Sequence, residues 1–158
     1  MTAARSASHA TFVIERTYAA PPARVFNAWA DPAAKARWFV GPGDWRRSDY
    51  ELDFRVGGRE HLAGGRPGEP VHVYDARYQD IVPERRIIFS YDMHIGARRI
   101  SVSLATVELE PAGGGTRLTF TEQAVFLDGY DDAGSREHGT RELLNNLEAA
   151  LRREPAPA

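Results

Sequence analysis

The last third of the chain predicts a strand that leads into one long helix. Residues 116–122 alternate between polar and apolar side chains, with Leu118 and Phe120 on one face, which is the period of a β-strand. A loop rich in Asp and Gly follows, and residues 135–153 then carry leucines at helical spacing. Because most of the preceding chain has the pattern of strands, a curved sheet wrapped around this helix is the expected architecture.

The residues before that strand predict a further strand, two short helices and then five strands. Both helices open at prolines, near Pro22 and Pro32, where a missing N–H costs little. The predicted strands cover residues 11–18, 49–56, 59–63, 71–82, 86–95, 99–110 and 116–125. Short turns separate most of them, so we expect an antiparallel sheet in an α+β fold. We expect one domain over 11–153, with flexible tails over 1–10 and 154–158.

Composition excludes several classes of protein. The chain has 158 residues, a net charge of −2 and no cysteine, so disulfides, thiolate metal sites and thiol nucleophiles are excluded. The interspersed charges argue against nucleic acid as a partner. The first ten residues hold no apolar run that a signal peptide or membrane span requires, so no membrane partner and a cytoplasmic location are expected.

Several motifs, in this order, are similar to one family. They are APPARVFNAW (20–29), KARWF (35–39), DFRVGG (53–58), PERRI (83–87), GTRLT (115–119), FLDG (126–129) and, after Gly139, LLNNL (143–147). With these motifs the chain resembles the START-like superfamily (SRPBCC, the helix-grip fold). Within that superfamily it resembles the homologues of the activator of the 90-kDa heat-shock protein ATPase.

The resemblance implies a seven-stranded antiparallel sheet around the terminal helix, with the two short helices closing one end. Members commonly enclose an apolar cavity, and several bind lipids, sterols, polyketides or plant hormones. One position departs from the family pattern: Trp usually follows the helix glycine, but Thr140 follows Gly139 here. The smaller side chain frees volume beside the first half of the helix.

The candidate ligand-binding residues are mostly aromatic side chains on the short helix and the strands. They include tyrosines, whose hydroxyls need hydrogen-bond partners if they are buried. The full candidate set is Trp38, Tyr50, Phe54, His61, Tyr74, Tyr78, Phe89, Tyr91, Phe120, Glu122, Thr140, Leu143 and Leu147. An apolar cavity with a few polar groups is the usual form of a small-molecule site.

The polar candidates leave more than one function open. Glu122 shares the face of Phe120 if no bulge intervenes, and an inward carboxylate there would be desolvated and suited to acid–base chemistry; an outward Glu122 is the alternative. The five histidines show no metal-ligand spacing, and neither a metal nor another cofactor is predicted.

The preferred interpretation is a module that binds a small apolar molecule. The alternatives are a cyclase- or hydrolase-type enzyme using Glu122, His61 or a tyrosine in the same cavity, and a module that interacts with a chaperone. The sequence also leaves a monomer and a homodimer as alternatives.

Overall fold

In the part of the chain that the structure describes, the fold consists of one antiparallel sheet of seven strands and three helices. The computed structural model describes residues 5–40 and 46–153, and of residues 46–48 only the backbone. The elements are β1 (Ala7–Tyr18), α1 (Pro22–Ala30), α2 (Pro32–Phe39), β2 (Arg46–Leu52), β3 (Arg59–Gly65), β4 (His72–Val82), β5 (Arg86–Ile95), β6 (Arg98–Ala112), β7 (Gly115–Leu127) and α3 (Ala133–Arg153). The strand order is β1-β7-β6-β5-β4-β3-β2. The predicted α+β class, the antiparallel sheet and the long terminal helix are confirmed.

The first strand begins four residues earlier than the sequence pattern predicted. Ala7 pairs with Leu127, and the register continues without interruption to Tyr18. Beyond its start, the Asp128 carboxylate accepts a hydrogen bond of 2.8 Å from the Ser6 N–H. The prediction of a loose tail over 1–10 is therefore wrong for its last four residues. Residues 7–10 pair with β7 through backbone hydrogen bonds, which need no apolar side chains. The hydrophobic pattern of the sequence therefore does not indicate this part of the strand. Residues 1–4 and 154–158 of the predicted tails lie outside the described residues.

The second strand ends earlier than predicted, at Leu52, so that residues 53–58 form a turn. The backbone of this turn pairs with β4, where the Gly57 N–H donates to Tyr78 O and the Tyr78 N–H donates to Gly58 O. A Cβ on Gly58 would lie 2.0 Å from the carbonyl oxygen of Asp53, so only glycine fits there. The predicted strand face that included Phe54 therefore does not extend beyond Leu52.

The two short helices pack against each other through their tryptophan side chains. Asp31 ends α1 and caps α2, because its side chain accepts a hydrogen bond of 2.9 Å from the Ala34 N–H. The Trp29 and Trp38 rings meet edge-on at 4.8 Å, and the Trp38 Nε1–H donates to Ala28 O over 2.9 Å. This buried pair anchors both helices to the core.

The terminal helix packs its second half against the sheet. Leu144, Leu147 and Leu151 are buried on α3, and the Tyr18 hydroxyl donates to Leu144 O over 3.0 Å. At the other end, Asp132 caps the helix by accepting a hydrogen bond from the Ser135 N–H. Among the described residues, no helix combines the length and hydropathy that a membrane span requires.

The helix contact predicts a strong effect of charge at Leu147, which is fully buried. Leu147→Asp places a carboxylate without a partner between sheet and helix, and we expect a loss of about 5 kcal/mol or more, comparable to the stability of a whole domain. Circular dichroism and urea titration measure this loss. Asn145→Asp adds the same charge at an exposed position and should change stability by at most about 0.5 kcal/mol. A native spectrum and unchanged urea midpoint for Leu147→Asp would contradict the packing described here.

Candidate functional site

A cavity of about 750 Å³ lies between the concave face of the sheet and the first half of α3. Its walls come from α2, from β3, β4, β5 and β7, and from α3. Eight of the predicted site residues line it: Trp38, Tyr74, Phe89, Tyr91, Phe120, Glu122, Thr140 and Leu143. Sheet curvature brings these side chains together although the first and last of them, Trp38 and Leu143, are more than a hundred residues apart in the chain.

Four predicted site residues belong instead to the packing beside the cavity. Phe54 contacts Tyr78, with ring centroids 4.9 Å apart, and Leu147 is buried in the helix contact. The hydroxyls of Tyr50 and Tyr78 both donate to Glu60. None of Phe54, Tyr78 and Leu147 contributes to the cavity lining, and neither does Tyr50.

His61 points away from the cavity, contrary to the prediction that it lines the ligand site. Successive residues of a strand face opposite sides, and because Glu60 is buried on the inner side, His61 lies on the outer one. There its Nδ1 lies 2.8 Å from Asp75 and its Nε2 lies 3.3 Å from Asp49. Burial alone would raise the pKa of Asp75, but hydrogen bonds from His61 and Arg59 outweigh it and lower that pKa.

Among the described residues of the sheet, Glu122 is the one carboxylate that lines this cavity. Its side chain is fully buried, as the inward alternative of the sequence analysis required. Oε2 accepts hydrogen bonds from the Tyr91 hydroxyl at 2.7 Å, the Ser103 hydroxyl at 2.8 Å and Arg136 Nη1 at 3.2 Å. Oε1 is buried and has no hydrogen-bond partner among the described residues.

Strand register and the start of α3 explain how this cluster assembles. Tyr91 on β5 pairs with Ser103 on β6, and Glu122 on β7 pairs with Ala105, two residues further along the same face of β6. The first turn of α3 then lies over these three strands and directs Arg136 at the carboxylate. Residues from four elements thus converge on Glu122.

Arg136 is held by acceptors on both of its terminal nitrogens. Nη2 donates to the Ser101 hydroxyl at 2.6 Å and to Asp131 at 3.2 Å, while Nη1 also lies 3.0 Å from the Tyr91 hydroxyl. Burial would lower the pKa of Arg136, but Tyr91, Glu122 and Asp131 together raise it, so the guanidinium stays charged. The sequence analysis did not select Arg136, because nothing in the chain pattern links it to a strand residue 14 positions away.

Burial and the neighbouring carboxylate both act on Tyr91. They raise the pKa of its hydroxyl far above its usual range, with burial the larger cause and Glu122 the second. The phenol therefore remains protonated at any physiological pH. It is a hydrogen-bond donor to Glu122 and an acceptor from Arg136.

A second buried ion pair stands behind the aromatic wall of the cavity. Lys35 Nζ lies 2.9 Å from Glu60 Oε1, and both side chains are closed to solvent. The same carboxylate accepts from the hydroxyls of Tyr50 at 2.8 Å, Tyr78 at 3.1 Å and Tyr74 at 3.3 Å. Every oxygen of this carboxylate is therefore engaged, which distinguishes Glu60 from Glu122.

Aromatic rings surround the Lys35 ammonium. It lies 4.3 Å from the Phe39 ring centroid and 5.1 Å from that of Trp29. Burial lowers the pKa of Lys35, and Glu60 opposes that shift. Neither residue was among the predicted site residues. The spacing of Lys35 to Trp38 on α2 and of Glu60 to Leu62 on β3 indicates that each side chain faces inward, but it does not show that the two meet.

The rim of the cavity carries an unpacked glycine. Gly139 lines the opening on α3, and a Cβ placed on it would have no neighbouring atom within 4 Å. Glycine inside a helix is less favourable than alanine, and packing does not require it here. Next to it, Thr140 also lines the cavity, and its hydroxyl donates to Arg136 O. Within the described residues, no group of three or more potential metal ligands is placed to hold an ion.

Comparisons with known proteins bear out the resemblance found in the sequence. The family model described as Activator of Hsp90 ATPase homolog 1-like protein matches residues 19–152. An uncharacterized protein from Rhizobium leguminosarum is 54% identical, with a TM-score of 0.91, over 96% of this chain and 99% of that one. No curated protein matches the chain.

Two further solved structures extend the similarity. Mll3558 from Rhizobium loti is 53% identical, with a TM-score of 0.86, and the match covers 92% of this chain and 99% of that one. CV1439 from Chromobacterium violaceum is 25% identical, with a TM-score of 0.77, and the match covers 91% of this chain and 98% of that one. The helix-grip fold is thus common to chains of widely different sequence.

The Lys35–Glu60 pair predicts strongly coupled effects on stability. Glu60→Gln leaves the buried ammonium without its counter-charge, and we expect it to cost about 3–5 kcal/mol in urea unfolding. Combining it with Lys35→Met removes both charges and should cost less than the sum of the two single changes. Glu110→Gln, which breaks an exposed pair with Arg117, should cost at most about 1 kcal/mol. Strict additivity of the two buried changes would contradict the coupling.

The open space at Gly139 predicts a stabilising substitution. Gly139→Ala removes backbone freedom from the unfolded chain and meets no atom in the folded one, so stability should rise by about 0.5–1 kcal/mol. Thermal unfolding with urea titration measures the change. Gly58→Ala is the matched contrast, because its Cβ would collide with Asp53 O and should destabilise the protein. A destabilised Gly139→Ala would mean that the helix backbone is not helical at this position.

Proposed function

The chain belongs to the family of Activator of Hsp90 ATPase homolog 1-like proteins, and we propose that it binds a small, largely apolar molecule between its sheet and α3. The observation that carries this proposal is the cavity of about 750 Å³ walled by aromatic side chains. Sites for small molecules typically enclose about 300–1,000 Å³ and combine apolar walls with a few polar groups. The cavity meets both criteria.

The walls and the polar end of the cavity have separate roles in this proposal. Tyr74, Phe89 and Phe120 supply apolar surface, and burying such surface provides the main favourable free energy of binding. Glu122 and Arg136 form the polar end, where a hydrogen-bonding group of the ligand would be oriented. The rim residues Gly139 and Thr140 leave an opening for entry.

The hydrogen bonds at Glu122 favour binding over catalysis. A general base needs a free proton-accepting oxygen close to the reacting atom. Three donors engage Oε2, while Oε1 is free among the described residues but closed to water, so Oε1 can accept a hydrogen bond from a ligand but is not placed to pass a proton on to solvent. His61, the other candidate base, lies on the outer face of the sheet. The binding module is therefore preferred to the cyclase- or hydrolase-type enzyme.

Ligand binding predicts a rise in thermal stability. A thermal-shift screen of fatty acids, fatty alcohols, sterols, flavonoids and polyketides should identify compounds that raise the melting temperature. At about a hundred times its dissociation constant, a ligand should stabilise the protein by about 2.7 kcal/mol. No shift with any compound, together with a cavity that remains inaccessible to apolar fluorescent probes, would refute the proposal.

Filling the space beside α3 should abolish any such shift. Thr140→Trp adds a ring at the cavity wall and should weaken each hit by about tenfold or more, because a lost contact of one buried ring costs at least 1.4 kcal/mol. His138→Trp adds the same ring two residues away on the same helix, where the side chain is exposed and outside the lining. Equal effects of the two substitutions would place the binding site elsewhere.

A further inference from the structure

In the part of the chain that the structure describes, the polar end of the cavity has a buried acceptor without a donor, and both terminal nitrogens of its arginine already have acceptors. Oε1 of Glu122 is buried without a hydrogen-bond partner among the described residues. On Arg136, Nη1 faces Tyr91, Ser103 and Glu122, and Nη2 faces Ser101 and Asp131. Because both terminal nitrogens already have oxygen acceptors, a ligand carboxylate or phosphate could bind the guanidinium in a bidentate manner only by displacing one of these acceptors.

The charged side chains that line the cavity are negative overall, as is the Glu122 carboxylate. Glu122, Asp131 and Glu142 contribute three carboxylates, and Arg136 contributes the one guanidinium, so these four side chains sum to −2. Lys35 and Glu60 behind the wall cancel each other. Glu142 is exposed to solvent, so the repulsion of a ligand anion at the polar end comes from Glu122 and Asp131, which outnumber Arg136 and lie where the dielectric constant is lower.

The geometry points to a ligand whose polar end donates a hydrogen bond, an amine or a hydroxyl, and against a ligand that ends in an anion. This inference rests on the proposed function and specifies its ligand class. An N–H or O–H group of the ligand would donate the hydrogen bond that Oε1 of Glu122 lacks. Because a buried acceptor without a donor costs free energy, ligands that supply this donor should bind more tightly than ligands that do not. Since Oε1 is closed to water, the donor reaches it only when a lining side chain moves slightly.

The aromatic walls suit the same class of ligand. The Tyr91 ring borders the polar end, and Arg136 already lies 5.6 Å above it, which shows that the ring accepts a cation on its face. Tyr74 lies 4.9 Å from Tyr91 and continues this wall towards the apolar part of the cavity. An ammonium group would find both a carboxylate oxygen and aromatic faces, whereas a carboxylate would find neither a free cation nor a favourable ring face.

A matched set of three probes tests the inference by isothermal titration calorimetry at neutral pH. Naphthylethylamine, naphthaleneethanol and naphthaleneacetate share one apolar ring system and differ in the polar end. We expect the amine and the alcohol to bind at least about tenfold more tightly than the acetate, which corresponds to one net hydrogen bond. Naphthaleneacetate binding as tightly as the other two, or more tightly, would overturn the inference and leave the proposed function standing.

Failure of the proposed function itself has a different signature. If none of the three probes binds up to its solubility limit, the proposed function and the inference that rests on it are both overturned. The ranking of amine over alcohol, or the reverse, identifies which donor the site prefers, and either order supports the inference.

Substitution at Glu122 tests the assignment of the acceptor. Glu122→Gln keeps the shape of the side chain and removes its charge, and it should reduce the preference for amine over acetate by about tenfold. Glu110→Gln changes the net charge of the protein equally at an exposed position outside the cavity and should leave the preference unchanged. An unchanged preference in Glu122→Gln would overturn the assignment. If this variant does not fold, the ranking of the three probes on the native protein still decides.

Discussion

The contact between α3 and the concave face of the sheet determines both the stability of this protein and its cavity. The second half of the helix packs tightly, through Leu144, Leu147 and Leu151 and through the hydrogen bond from Tyr18 to the helix backbone. The first half carries Gly139 and Thr140, which do not fill the space beneath them. The second half of α3 thus packs against the core, and its first half forms one wall of the cavity.

Polar contacts hold the first half of the helix in place of apolar ones. Arg136 connects the first turn of α3 to Glu122 on β7 and to serines on β6. A buried ion pair is a weak source of net stability, because desolvation offsets most of the attraction between the charges. It does fix a geometry, since removing either partner would leave a buried charge. These polar contacts therefore hold the first half of the helix over the sheet without apolar side chains filling the cavity between them.

Glu60 and Glu122, two buried carboxylates of the sheet, differ in how completely their oxygens are hydrogen-bonded. Glu60 has an ammonium and three tyrosine hydroxyls around it, so both of its oxygens are satisfied and it acts as part of the framework. Glu122 has three donors on one oxygen and none on the other. In a folded protein nearly all buried polar atoms are paired. Among the described residues the exceptions are this oxygen and the indole N–H of Trp29, which also lines the cavity, and we expect a ligand to contribute at the carboxylate.

The sequence by itself determined the elements of the fold and the faces of its strands. Period-two alternation located the strands, prolines located the starts of the short helices, and the leucine stripe located α3, because each of these signals is local. The same alternation assigned Glu122 to the face of Phe120. It also contained the information that His61 and Glu60 lie on opposite faces, although the prediction for His61 did not use it.

Only the tertiary structure decided which side chains meet. The pairing of Glu122 with Arg136 and of Glu60 with Lys35 joins residues on different elements, and no spacing in the chain encodes such a contact. The extension of β1 to Ala7 depends on the length of β7, since a strand edge accepts a partner through its backbone whatever the side chains. Among the described residues, Oε1 of Glu122 is left without a donor by the way in which β5, β6, β7 and α3 pack together at this point. The proposed ligand chemistry therefore became visible in the folded protein alone.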